Sequence, residues 1–128
     1  MTGNDYIPFK KNFIINAGFV QKKKFYQYLR SASLFLNPMR IGFGSQLKII
    51  NSLVFGKTII SSKIGIRGIN LNNKLKNVYI SKNINDFSKL VIKNVNSKKY
   101  NYKVSNYYLK LFLMKNIVKN FFKKNKIT

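Results

Sequence analysis

Arg30, Arg40 and Arg67 stand apart in a chain whose other cations are all lysines. A guanidinium can hold a phosphate through two parallel hydrogen bonds or stack on a base, which an ammonium cannot do. Arg67 lies within Gly65-Ile66-Arg67-Gly68, where the flanking glycines let a backbone approach a ligand closely; Arg40 lies between Pro38 and Gly42-Phe43-Gly44. Both settings point to capture of an anion. Gly56-Lys57-Thr58 has the form of the end of a P-loop, but Asn51 stands where that signature needs its leading Gly. The segment therefore reads as a Gly turn followed by a strand at Thr58-Ile59-Ile60.

The residue types that are missing narrow the chemistry further. There is no Cys and no His, so thiolate and imidazole metal sites, disulfides, and Cys or His nucleophile and base chemistry are excluded. Asp5 and Asp86 are the whole acidic inventory. Nothing frames a Lys- or Tyr-based reaction, and an enzyme, a cofactor, a metal or a small-molecule substrate is not expected.

Against those 2 carboxylates stand 25 Lys and Arg, a formal net charge of +23 on 128 residues. Such a surface repels itself, and the expected remedy is a polyanion, above all nucleic acid. The candidate RNA contacts are Lys22, Lys23, Lys24, Arg30, Arg40, Lys57, Lys63, Arg67, Lys98, Lys99, Lys103, Lys123, Lys124 and Lys126. Lys82 is expected to be one charge among many in a loop. Tyr26 and Tyr28 follow the Lys22–Lys24 run, and Tyr100, Tyr102, Tyr107 and Tyr108 flank Lys98, Lys99 and Lys103. Aromatics interleaved with cations suit unstacked RNA bases, although packing is the commoner fate of such rings.

Lys (22), Asn (18), Ile (16), Phe (11) and Tyr (8) dominate the composition, and Ala occurs only at Ala17 and Ala32. These are preferences of an AT-rich coding sequence. In composition the whole chain resembles an organelle-encoded ribosomal protein of an AT-rich genome. The Asn37–Gly42 segment resembles the opening of one universal small-subunit ribosomal protein over those residues only, and no single family is assigned. The resemblance implies a structural constituent of a mitochondrial ribosome, located in the matrix, with a plastid as the other organelle. Its partners would be rRNA and neighbouring ribosomal proteins. The rival expectations are a non-enzymatic accessory subunit of an organellar inner-membrane complex and a free nucleic-acid-binding protein. No apolar run is long enough for a membrane span, and the first residues do not have the Arg-rich, acid-poor character of a transit peptide.

The elements that must position these side chains read as one small α+β domain, 22–122, between an extended arm, 1–21, and a basic tail, 123–128. The arm holds a short apolar run at Phe13-Ile14-Ile15. Phe25, Leu29, Ala32 and Leu36 share one helical face, and Pro38 is expected to end that helix. Strands are expected at Gln46–Ile50, Lys57–Ile60, Lys63–Ile69 and Asn77–Ser81, forming a small antiparallel sheet with a turn at Asn72-Asn73-Lys74. Asn83–Asn101 fits either a helix capped near Asp86 or further sheet. A C-terminal helix is expected to begin at Ser105 and to carry the stripe Leu109, Phe112, Leu113, Ile117 and Phe121.

Overall fold

The computed structural model describes residues 17–40 and 46–124. The run Phe13-Ile14-Ile15, Asp5, Gly42-Phe43-Gly44 and Lys126 lie outside the described residues, as do the side chains of Phe122 and Lys124. The chain forms two compact units, Met1–Ser31 and Ala32–Thr128.

In the first unit, helix α1 spans Lys22–Ser31 and buries Leu29. The Ser31 hydroxyl donates to the Gln27 carbonyl at 2.6 Å in its last turn. The expected continuation of this helix to Leu36 is corrected: Leu34–Asn37 is strand β1. Asn37 precedes Pro38, which disfavours the helical region and favours extended backbone. That extended backbone finds a ladder partner, since Leu34 to Asn37 pair in register with Thr58 to Ser61.

The second unit is built on a sheet of three parallel strands: β1, then β2 (Thr58–Ser62), then β3 (Val78–Ser81). The expected antiparallel sheet is thereby overturned. Parallel neighbours require a crossover rather than a hairpin. Helix α2, Leu47–Val54, supplies the first crossover, and a stretch containing two short 3-10 turns, Ile64–Ile66 and Asn73–Leu75, supplies the second. Gln46–Ile50 and Lys63–Ile69, both expected as strands, are thus connections. Over five residues the Ile49-Ile50 pair looks like strand, but Ile49 and Leu53 are four apart, and both are buried with Ser52 on one helical face.

The C-terminal end of α2 explains Gly56-Lys57-Thr58. The Gly56 N–H donates to Leu53 O and the Lys57 N–H to Ser52 O, each at 3.0 Å, with Gly56 in the left-handed region at φ 69°. This is a Schellman cap, and Lys57 leads directly into β2.

Central strand β2 is buried without alternation at Ile59, Ile60 and Ser61, as expected of a strand covered on both faces. Ile59 joins Ile49, Leu53, Ile66, Val104 and Tyr108 in the main core cluster. Helix α3, Ile84–Asn94, packs against β2 and β3. Asn83 caps it, accepting from the Asp86 N–H at 2.8 Å, while Asp86 accepts from the Lys82 N–H at 2.9 Å. Of the ambiguous stretch 83–101, Ile84–Asn94 is helix and 95–101 is the connection to the next helix.

Helix α4 spans Tyr102–Lys124, one turn earlier than expected. Its cap is Asn101, whose Oδ1 accepts from the N–H groups of Lys103 and Val104 at 3.1 and 3.4 Å. Ser105, expected as the cap, instead donates to Val54 O at 2.6 Å and ties α4 to α2. The core face of α4 is formed by Val104 and Tyr108 with Leu111 and Phe112 alongside. Of the expected stripe only Phe112 packs there; Leu109, Leu113, Ile117 and Phe121 are exposed. Tyr108 sets this rotation: fully buried, its hydroxyl accepts from the Asn72 N–H at 2.9 Å. No helix among the described residues is long and apolar enough to cross a membrane.

Candidate functional site

Because the three strands run parallel, their C-terminal ends meet at one edge of the sheet, and each ends on a small polar residue: Asn37, Ser62 and Ser81. These ends are fastened to one another. Asn37 Nδ2 donates to Ser61 Oγ at 3.3 Å and to Gly65 O at 3.2 Å. Ser62 Oγ donates to Met39 O at 2.6 Å and accepts from the Gly65 N–H at 3.2 Å. Ser81 Oγ donates to Ser61 O at 3.4 Å. Gly65 is required by this arrangement, since a Cβ there would run into the Asn37 amide and the Ser61 hydroxyl.

Beyond this edge opens a cleft of about 630 Å³. Its walls come from the residue stretch after each strand and from the first turns of α3. Pro38, Met39 and Arg40 follow β1; Lys63 and Ile64 follow β2; Lys82, Asn83 and Ile84 follow β3; Phe87 and Ser88 belong to α3. The volume lies within the usual range for a ligand pocket, and the outer side of the carboxyl ends of parallel strands is where α/β sheets generally bind ligands. Arg40, Lys63 and Lys82 contribute three cations, all exposed, and none of them makes an ion pair among the described residues. The positive end of the α3 dipole lies on the same side. Asp86, the only acid among the described residues, turns one oxygen to the Lys82 N–H. Met39, Ile64 and Phe87 add an apolar wall. Such a cleft can hold an anion at its rim and a flat apolar group beside it.

The sequence-selected cations fall in several places, and only Arg40 and Lys63 among them share this cleft. Lys22, Lys23, Lys24 and Arg30 are exposed on α1, with the Lys22 amine 5.8 Å from the Tyr26 ring centre and Lys24 5.3 Å from that of Tyr28. Arg67 is exposed just after the 3-10 turn Ile64–Ile66, not within the strand expected at Lys63–Ile69. Lys98 and Lys99 are exposed in the α3–α4 connection, Lys103 in the first turn of α4, and Lys123 in its last.

Lys57 is corrected. It is 1% exposed, and its ammonium donates to the carbonyls of Ala32 at 2.8 Å and Lys99 at 2.5 Å. Burial, and secondarily the charge of Lys99, pull its pKa below the ordinary lysine value. It is a tie across the fold and offers no charge to a partner. Tyr108 is likewise interior, leaving Tyr100, Tyr102 and Tyr107 as the exposed rings of that group.

Nothing in the sequence marks Met39 or Phe87 as a site residue, and Lys82, expected to be one charge among many in a loop, instead lines the cleft. The Asn83-x-x-Asp86 spacing marks the start of α3, and so places Lys82 at a strand-to-helix junction. Its convergence with Arg40 and Lys63 depends on parallel pairing, which no local motif announces. No family model matches the chain, and no curated protein or solved structure matches it.

Proposed function

We propose that this chain is a non-catalytic structural constituent of a mitochondrial ribosome, binding and stabilising rRNA through a dispersed Lys and Arg surface. One observation carries the reading: among the residues whose side chains are described, every Lys and Arg except Lys57 is exposed, and Asp86 is the sole acid present to balance them. A fold this cationic is stable in company with a polyanion, and each exposed ammonium can take the place of a counterion on the phosphate backbone. The small parallel sheet, with α2 and α4 packed on each other, supplies a frame on which those charges are held apart. Leu109, Leu113 and Ile117, exposed in a row on α4, suit burial against a neighbouring protein of the same particle.

Sedimentation of the native protein tests the reading. Co-migration with a mitochondrial ribosomal particle, and release at high salt, is expected. Co-migration with a detergent-solubilised inner-membrane complex, or recovery as free protein on DNA, would overturn it, and a plastid particle would correct the organelle.

A further inference from the structure

Resting on the RNA-binding reading, we infer that the cleft at the C-terminal edge of the sheet receives a single unstacked nucleotide of the RNA. Its phosphate would be held by Arg40, Lys63 and Lys82, and its base would lie against Met39 and Phe87. A diffuse cationic surface needs no cavity. Here three cations from three different strand ends surround one, and the wall between them is apolar. A phosphate alone would leave Met39, Ile64 and Phe87 facing water, whereas an apolar ligand alone would leave three unpaired charges at the rim. A nucleotide joins an anion to a flat aromatic face, and so satisfies both. Single-stranded RNA is recognised in this manner, with bases splayed from the stack onto aromatic side chains and phosphates on Arg and Lys. The floor is preset, because the hydroxyls of Ser62 and Ser81 are already bonded within the sheet edge. The ligand is therefore read at the rim and along the wall rather than at the floor.

The test uses the full chain and a fluorescent heptauridylate at fixed salt, followed by anisotropy. Arg40→Gln with Lys82→Gln should weaken binding about thirtyfold, because charge-assisted hydrogen bonds are lost. Phe87→Leu, which keeps an apolar side chain of similar size, should weaken it about fivefold or more through lost stacking. Lys115→Gln with Lys119→Gln removes the same charge from α4 and should cost about threefold or less. Ultraviolet crosslinking of the wild-type chain to the same RNA should place the linked peptide around Met39 or Phe87, which keeps the proposal testable if a cleft variant fails to fold. Equal losses in the two Gln pairs, or crosslinks confined to α1 and α4, would overturn the cleft and leave diffuse RNA binding intact. Uridine monophosphate competing as strongly as the oligonucleotide would overturn the RNA assignment in favour of a free nucleotide. Absence of binding by the wild-type chain to both heptauridylate and rRNA would remove the functional reading itself.

Discussion

The Asn101 N–H donates to the Gly56 carbonyl at 2.9 Å, joining the residue that caps the start of α4 to the residue that ends α2. The contact is close on both sides, since a Cβ built on Gly56 would lie 2.6 Å from the Asn101 carbonyl oxygen. Gly56 also has a φ of 69°, where a side chain is strained whatever the space. Gly56→Ala is therefore expected to lower unfolding stability by about 2 kcal/mol or more. Urea denaturation of the two proteins checks this, and an unchanged midpoint would show that α2 and α4 can part at this point without cost.

Lys57 makes stability depend on alkaline pH. Its folded pKa lies below the ordinary 10.5 because burial, and then Lys99, disfavour the charged amine. Between the two pKa values the unfolded chain binds more protons, so this group makes stability rise with pH in a window ending near 10.5 and adds no slope beneath it. The stability difference between wild type and Lys57→Met, followed across that window, is expected to move in favour of wild type. A flat difference would mean that the amine reaches solvent.

Tyr108 acts with the opposite sign. Burial raises its pKa above 10.0, partly offset by the Asn72 N–H, so the folded state holds the phenolic proton longer and stability falls as pH rises past 10.0. Tyr108→Phe should abolish that fall. At neutral pH the same change leaves the Asn72 N–H without its acceptor, at a cost of about 1–2 kcal/mol. Thermal melts at neutral and alkaline pH separate the two effects.

RNA binding should weaken steeply with salt. If about 6–10 phosphates are neutralised, affinity is expected to fall by about three to five decades between roughly 50 and 200 mM salt. Filter binding with rRNA measures the slope. A shallow profile would contradict the proposed dispersed contacts to phosphate.

Several features were legible from residue order because they are local. Gly56 turns the chain ahead of Thr58-Ile59-Ile60, and Asn77–Ser81 contains β3, whereas Pro38, expected to end a helix, follows a strand. The cationic excess, with almost no carboxylate to oppose it, is a property of composition and needs no fold. Strand direction is different in kind. Leu36 fits a helical stripe with Phe25, Leu29 and Ala32, yet Leu34 to Asn37 pair with Thr58 to Ser61, and a short β-branched run carries no sign of whether its neighbour is parallel or antiparallel. Parallel pairing is what gathers Asn37, Ser62 and Ser81 at one edge, and with them Arg40, Lys63 and Lys82 around one cleft. The fate of Lys57 was equally invisible, because a lysine beside a turn ordinarily faces water. Only the two carbonyls brought to it from Ala32 and Lys99, far away in the chain, could draw its ammonium inside. The residues alone determined the excess of positive charge; long-range pairing decided which cations line one cleft and which one is drawn inside to tie the fold together.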